Sequence, residues 1–108
     1  MGNDMELPLD CSLATRAHAA IMAVLEKHKA TKTGGCKAFY SPEEWRARGE
    51  QYAQESVLVV VYDGGAHRPF FTLDECQYDL CEEMQAALKP LGLYFEESTC
   101  WYGGVYRI

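Results

Sequence analysis

The chain has no long apolar run. Its longest, Ala19 to Leu25, covers seven residues, against about 20 for a helix that crosses a membrane. It has no CxxC pair, and Cys76 and Cys81 stand five apart, a step that does not align two ligands on one helix face. A structural zinc site is therefore not expected, and no metal or cofactor is implied. The first ten residues, MGNDMELPLD, contain no base and no apolar stretch, so they do not read as a secretory leader. Gly2 lacks the Ser or Thr at position 6 that a myristoylation signal would carry, because Glu6 stands there. Five cysteines without such a leader read as reduced, mostly buried thiols in a cytoplasmic protein.

Bases are also scarce, ten Lys and Arg against sixteen Asp and Glu, for a net charge of −6. Residues 11–50 nevertheless hold seven of the bases and a local balance of +3, so the rest carries −9. An acidic chain lacks the basic footprint of sequence-independent DNA binding. Nucleic acid is not the expected partner, although the basic part can still hold a small anion.

What is present is ordinary globular composition, with 48% apolar and 24% charged residues over 108 positions. Residues 1–108 read as one domain, with 1–9 a loosely held lead-in. Asp10 or Ser12 can cap a first helix carrying Leu13, Ala17, Ala20 or Ile21, Val24 and Leu25 at helical spacing. Ser41-Pro42-Glu43-Glu44 is a helix start: a capping serine, proline in the first turn, then two acids. That helix should bury Trp45 and Tyr52 and reach about Ala53. Ser56 to Asp63, SVLVVVYD, has the β-branched continuity of a strand covered on both faces. Pro69 to Thr72 reads as a short second strand. Asp74 can cap a third helix with an apolar stripe through Leu80, Met84 and Leu88, ended by Pro90 and Gly92. Two strands follow, Leu93 to Glu97 and Trp101 to Arg107. Gly103-Gly104 inside the last one marks a bulge or a close approach, and a tucked-in Ile108 would make loss of the last three residues cost several kcal/mol. The order α-α-β-β-α-β-β implies an α+β domain: a small, mostly antiparallel sheet with helices packed on one side.

Four places can carry chemistry. In TKTGGCK, Gly34 and Gly35 can turn backbone N–H groups toward an anion that Lys32 and Lys37 neutralise. The GxxxxGK[ST] spacing of a P-loop is absent. In YDGGAHR, after the strongest strand, Asp63 can orient His67 while Gly64 and Gly65 supply the turn and Arg68 binds a carboxylate or phosphate. Cys36, in its basic loop, or Cys100, beside Trp101, can serve as a thiol nucleophile if the fold brings it to His67. The aromatics are the fourth: Tyr94, Trp101, Tyr102 and Tyr106 fall on the last strands, where a sheet edge can pair with another chain.

No residue set specifies catalysis. The expected function is a small interaction module that binds a protein partner or a second copy of itself, through an aromatic sheet edge, an acidic helix (Glu75, Asp79, Glu82, Glu83), or both. The alternative is a small anionic ligand, bound or transformed at residues 62–68. A weaker one is an acidic inhibitor that imitates nucleic acid, which needs those acids and Glu96 and Glu97 on one surface.

Overall fold

The computed structural model describes Met5 and residues 12–108. The elements in order are α1 (Ser12–Lys27), β1 (Phe39–Tyr40), α2 (Pro42–Ala47), β2 (Leu58–Val61), two short 3-10 turns (Arg68–Phe70 and Leu73–Glu75), α3 (Tyr78–Leu88), a third such turn (Lys89–Leu91), β3 (Leu93–Glu97) and β4 (Tyr102–Arg107). The four strands form one antiparallel sheet in the order β1-β2-β4-β3. The α+β class and the antiparallel sheet are as the sequence implied. Among the described residues no helix is long and apolar enough to cross a membrane.

Strand alternation divides the interior in two. Leu58, Val60 and Tyr62 face the larger core with Phe95 and Val105, and α1 and α3 close it through Ala17, Ile21, Leu25, Met84 and Leu88. Val59 and Val61 face the other way, onto a smaller core of Trp45, Ala53 and Tyr102. The two long helices thus share one side, as expected, while short α2 lies on the opposite side and supplies Trp45. This double cover explains why β2 is apolar at every position. Ser41 starts α2 with a complete capping box: its hydroxyl accepts from Glu44 N–H (3.1 Å) and Glu44 Oε1 accepts from Ser41 N–H (3.0 Å).

Several expectations are corrected. The helix begun at Pro42 ends at Ala47, not near Ala53, and Gly49 N–H bonds back to Arg46 O (3.0 Å); Tyr52 therefore lies beyond the helix and is exposed, not on its buried side. Pro69 to Thr72 is not a strand. Pro69 occupies the first turn of a 3-10 segment, and Phe70 and Phe71 N–H bond to His67 O and Arg68 O (3.1 and 3.0 Å). Asp74 does not cap the third helix. Thr72 caps a separate turn by accepting from Asp74 N–H (3.2 Å), left-handed Cys76 (φ 57°) closes that turn, and α3 starts at Tyr78. The two-residue strand β1 carries no pattern long enough to read in sequence.

Gly103-Gly104 is a close approach and not a bulge, since both residues keep regular register with Val60, Val59, Glu97 and Glu96. A β-carbon on Gly103 would stand 2.5 Å from Phe95 Cζ and closer still to the Glu96 carbonyl oxygen; one on Gly104 would stand 2.8 Å from Ser56 Cβ. Ile108 is not tucked in: its side chain is 77% exposed, although its N–H bonds to Gly92 O (2.9 Å). Of the lead-in 1–9 only Met5 is described. It is buried in the larger core, and its carbonyl accepts from His18 Nε2 (2.7 Å). Asp10, the other candidate cap, lies outside the described residues. The four described cysteines are free, and Cys36, Cys76 and Cys100 are exposed, against the expectation of mostly buried thiols.

Candidate functional site

The two glycine loops meet. Ala66 N–H bonds to Lys32 O (2.7 Å), and a β-carbon on Gly34 would lie 2.7 Å from the Gly64 carbonyl. Residues that looked like separate candidates are therefore one junction, packed backbone on backbone. Three of its polar side chains, His67, Arg68 and Lys37, are engaged within the protein. His67 is 1% exposed, and its Nε2–H donates to Val61 O (2.7 Å), not to Asp63. Its Nδ1 is buried without a hydrogen-bond partner beneath Gly65, where a β-carbon would strike the ring. Burial holds this imidazole below its ordinary pKa, only partly opposed by the bond to Val61. Arg68 donates to Glu75 Oε2 (2.9 Å) and to Cys100 O (2.6 Å), with Asp74 Oδ2 at 3.7 Å. Lys37 pairs with Glu44 (3.1 Å) and lies over the Tyr40 ring. Asp63, Gly64, Gly35 and Lys32 are exposed.

The four aromatic candidates separate into two pairs. Tyr102 is 2% exposed and packs edge-on against Trp45, with part-buried Trp101 beside both. Tyr94 and Tyr106 face each other across β3 and β4 with ring centroids 5.9 Å apart. They share a sheet face with Glu96, beyond the part that Trp45 covers. Tyr94 is 38% exposed.

The acids are dispersed. Glu83 accepts from Lys27 and His28 (both 2.8 Å), tying α1 to α3. Glu75 holds Arg68. Glu96 and Glu97, as neighbours in a strand, lie on opposite faces of the sheet. Glu96 and Glu97 therefore do not extend one face together, which leaves the acidic-mimic alternative with little support from this pair.

A further site coincides with none of the four places read from the sequence. Between α3 and β3 opens a groove of about 560 Å³. Its walls are Phe70, Phe71, Leu73, Tyr78 and Phe95, with Leu73 and Tyr78 more than half exposed at the rim. The remaining lining is Cys81, Gln85 and two carboxylates, Glu82 and Glu97, with no base among them. Thr72 Oγ1 donates to Glu97 (2.9 Å) and Cys81 Sγ donates to Pro69 O (3.2 Å). Burial, with Glu97 adding to it, pushes the Cys81 thiol above its usual pKa, so it sits as a neutral wall atom. At the floor, the Gln85 amide donates to Phe95 O (2.7 Å) and accepts from Phe95 N–H (2.8 Å). Reading Pro69 to Thr72 as a strand hid this site. The usable signal was Pro69 in a first turn followed by the Thr72-Leu73-Asp74 cap. Comparison with family models, with curated proteins and with solved structures finds no match to this chain.

Proposed function

We propose that the protein is a small interaction module that receives a segment of another protein in the groove between α3 and β3. One observation carries this reading: an open cleft with aromatic and aliphatic walls whose charged lining, among the described residues, is two carboxylates. Apolar walls reward anchoring side chains, and acids at the rim with no ion-pair partner among the described residues favour Lys or Arg beside those anchors. The net charge of −6 acts in the same direction at longer range. The segment that fits is extended, with apolar and basic residues interleaved.

The alternative of an anionic ligand at residues 62–68 has weaker support, because Arg68 and Lys37 are already engaged by carboxylates and His67 is buried. The test is fluorescence anisotropy with a labelled peptide of alternating lysine and valine, against its glutamate-valine counterpart. The lysine peptide should bind, the glutamate peptide should not, and Glu82→Lys should weaken binding about tenfold, near 1.4 kcal/mol. Equal affinity for both peptides, or no effect of Glu82→Lys, refutes the reading.

A further inference from the structure

β3 is an edge strand, since it pairs with β4 alone. In an antiparallel edge strand, backbone groups alternate between the partner and the outside. Phe95 presents both of its groups outward, where the Gln85 side chain meets them. Leu93 and Glu97, two residues either way, face outward by the same alternation. An amide that donates to the carbonyl and accepts from the N–H of one residue reproduces the pairing of an added strand. Gln85 and Phe95 are also groove residues, so the edge and the groove are continuous.

We infer that the partner segment binds by strand addition, displacing the Gln85 amide from Phe95 and extending the sheet as a fifth strand beside β3. This rests on the groove reading above and specifies its mode. An added strand sends alternate side chains to the two faces of the sheet. One set enters the groove against Phe70, Phe71 and Phe95. The other set lies beside Tyr94 and Glu96 of β3, where a carboxylate and a ring face suit Lys or Arg. The groove asks for the apolar set and the Tyr94–Glu96 face for the basic set, and together they give the apolar–basic alternation. Gln85 makes binding conditional, because a segment must replace two existing hydrogen bonds as well as fill the groove.

The experiment compares three peptides of alternating lysine and valine: unmodified, backbone N-methylated at every valine, and N-methylated at every lysine. Each is titrated against the wild type and against Gln85→Ala, whose folding is checked by urea unfolding. Strand addition predicts that methylating one alternate set abolishes binding and methylating the other does not, since only one set of amides faces β3. It also predicts that Gln85→Ala binds the unmodified peptide about tenfold tighter, as a competitor worth about 1.4 kcal/mol is gone. Should the variant fail to fold, the methylation series on the wild type decides alone. Binding that tolerates both methylation patterns and still depends on Glu82 overturns strand addition and leaves the groove reading standing. No binding of the unmodified peptide to either protein overturns both.

Discussion

The side chain of Gln85 serves Phe95 as a neighbouring strand would: one amide, two hydrogen bonds of 2.7 and 2.8 Å, both outward backbone groups answered. An open β-edge invites other edges, and proteins blunt it in recognisable ways. Here a helix does so with a single residue. Gln85→Leu should cost about 1–3 kcal/mol, because Phe95 keeps its polar groups beside the groove without their partner. It should also make the protein associate as concentration rises. Urea unfolding measures the first effect and sedimentation velocity the second; a variant as stable and as monodisperse as the wild type would show that the amide does not guard the edge.

The aromatic pairs should respond differently to the same change. Tyr102→Ser removes a ring from the smaller core and should cost roughly 3–5 kcal/mol. Tyr94→Ser, at a side chain 38% exposed, should stay within about 1 kcal/mol of the wild type. Thermal unfolding of the two variants side by side checks the division. Similar losses would mean that the Tyr94 half of the sheet face is not open.

His67 makes stability depend on pH. Its folded-state pKa is depressed by burial, so the unfolded chain takes up a proton first as pH falls. The stabilising contribution is complete above about pH 6.5, the unfolded value, and is lost as pH drops from there toward the folded value. The melting temperature should therefore decline below about pH 6.5, and His67→Gln should flatten that decline. Glu44 and Glu83, whose carboxyls are held below their ordinary values, add losses only further down, below about pH 4.5. For Glu44 the hydrogen bonds from Ser41 and Lys37 outweigh burial, which acts the other way. A wild-type profile flat from pH 7 to 5 would contradict the account of His67.

Gly34→Ala should destabilise by about 1–3 kcal/mol, because the added carbon meets the Gly64 backbone at 2.7 Å and neither loop can yield without breaking the Ala66–Lys32 bond. Gly35→Ala, with nothing near its β-carbon, is strained only by its φ of +96° and should cost less. Chemical denaturation ranks the two. The opposite order would mean that the loops do not pack as described.

The regular elements were legible where local chemistry and burial agree. The capping box at Ser41, the apolar stripe of α1 and the valines of β2 each state their structure within a few residues. Pro69-Phe70-Phe71 misled because two buried aromatics look the same in a strand as in a tight turn, and only the hydrogen-bond partners tell them apart. The meeting of Gly34 with Gly64 spans thirty positions of sequence and leaves no local trace beyond the glycines. Tyr94 and Tyr102 are indistinguishable as letters, and their difference lies in how far Trp45 reaches across the sheet. The importance of Gln85 was hidden because a polar residue flanking an apolar stripe reads as boundary. It gains meaning only once β3 is known to be an edge.

The paired glycines of β4 make the middle of the sheet bare peptide. Phe95 lies against one side there and Ser56 against the other, with no side chain between them and the backbone. The larger core and the buried Ser56 are thus separated by a single layer of main chain at that point. Crowding on either side must press on the same stretch of β4, so paired substitutions at Phe95 and Ser56 should interact energetically although their side chains belong to opposite halves of the molecule.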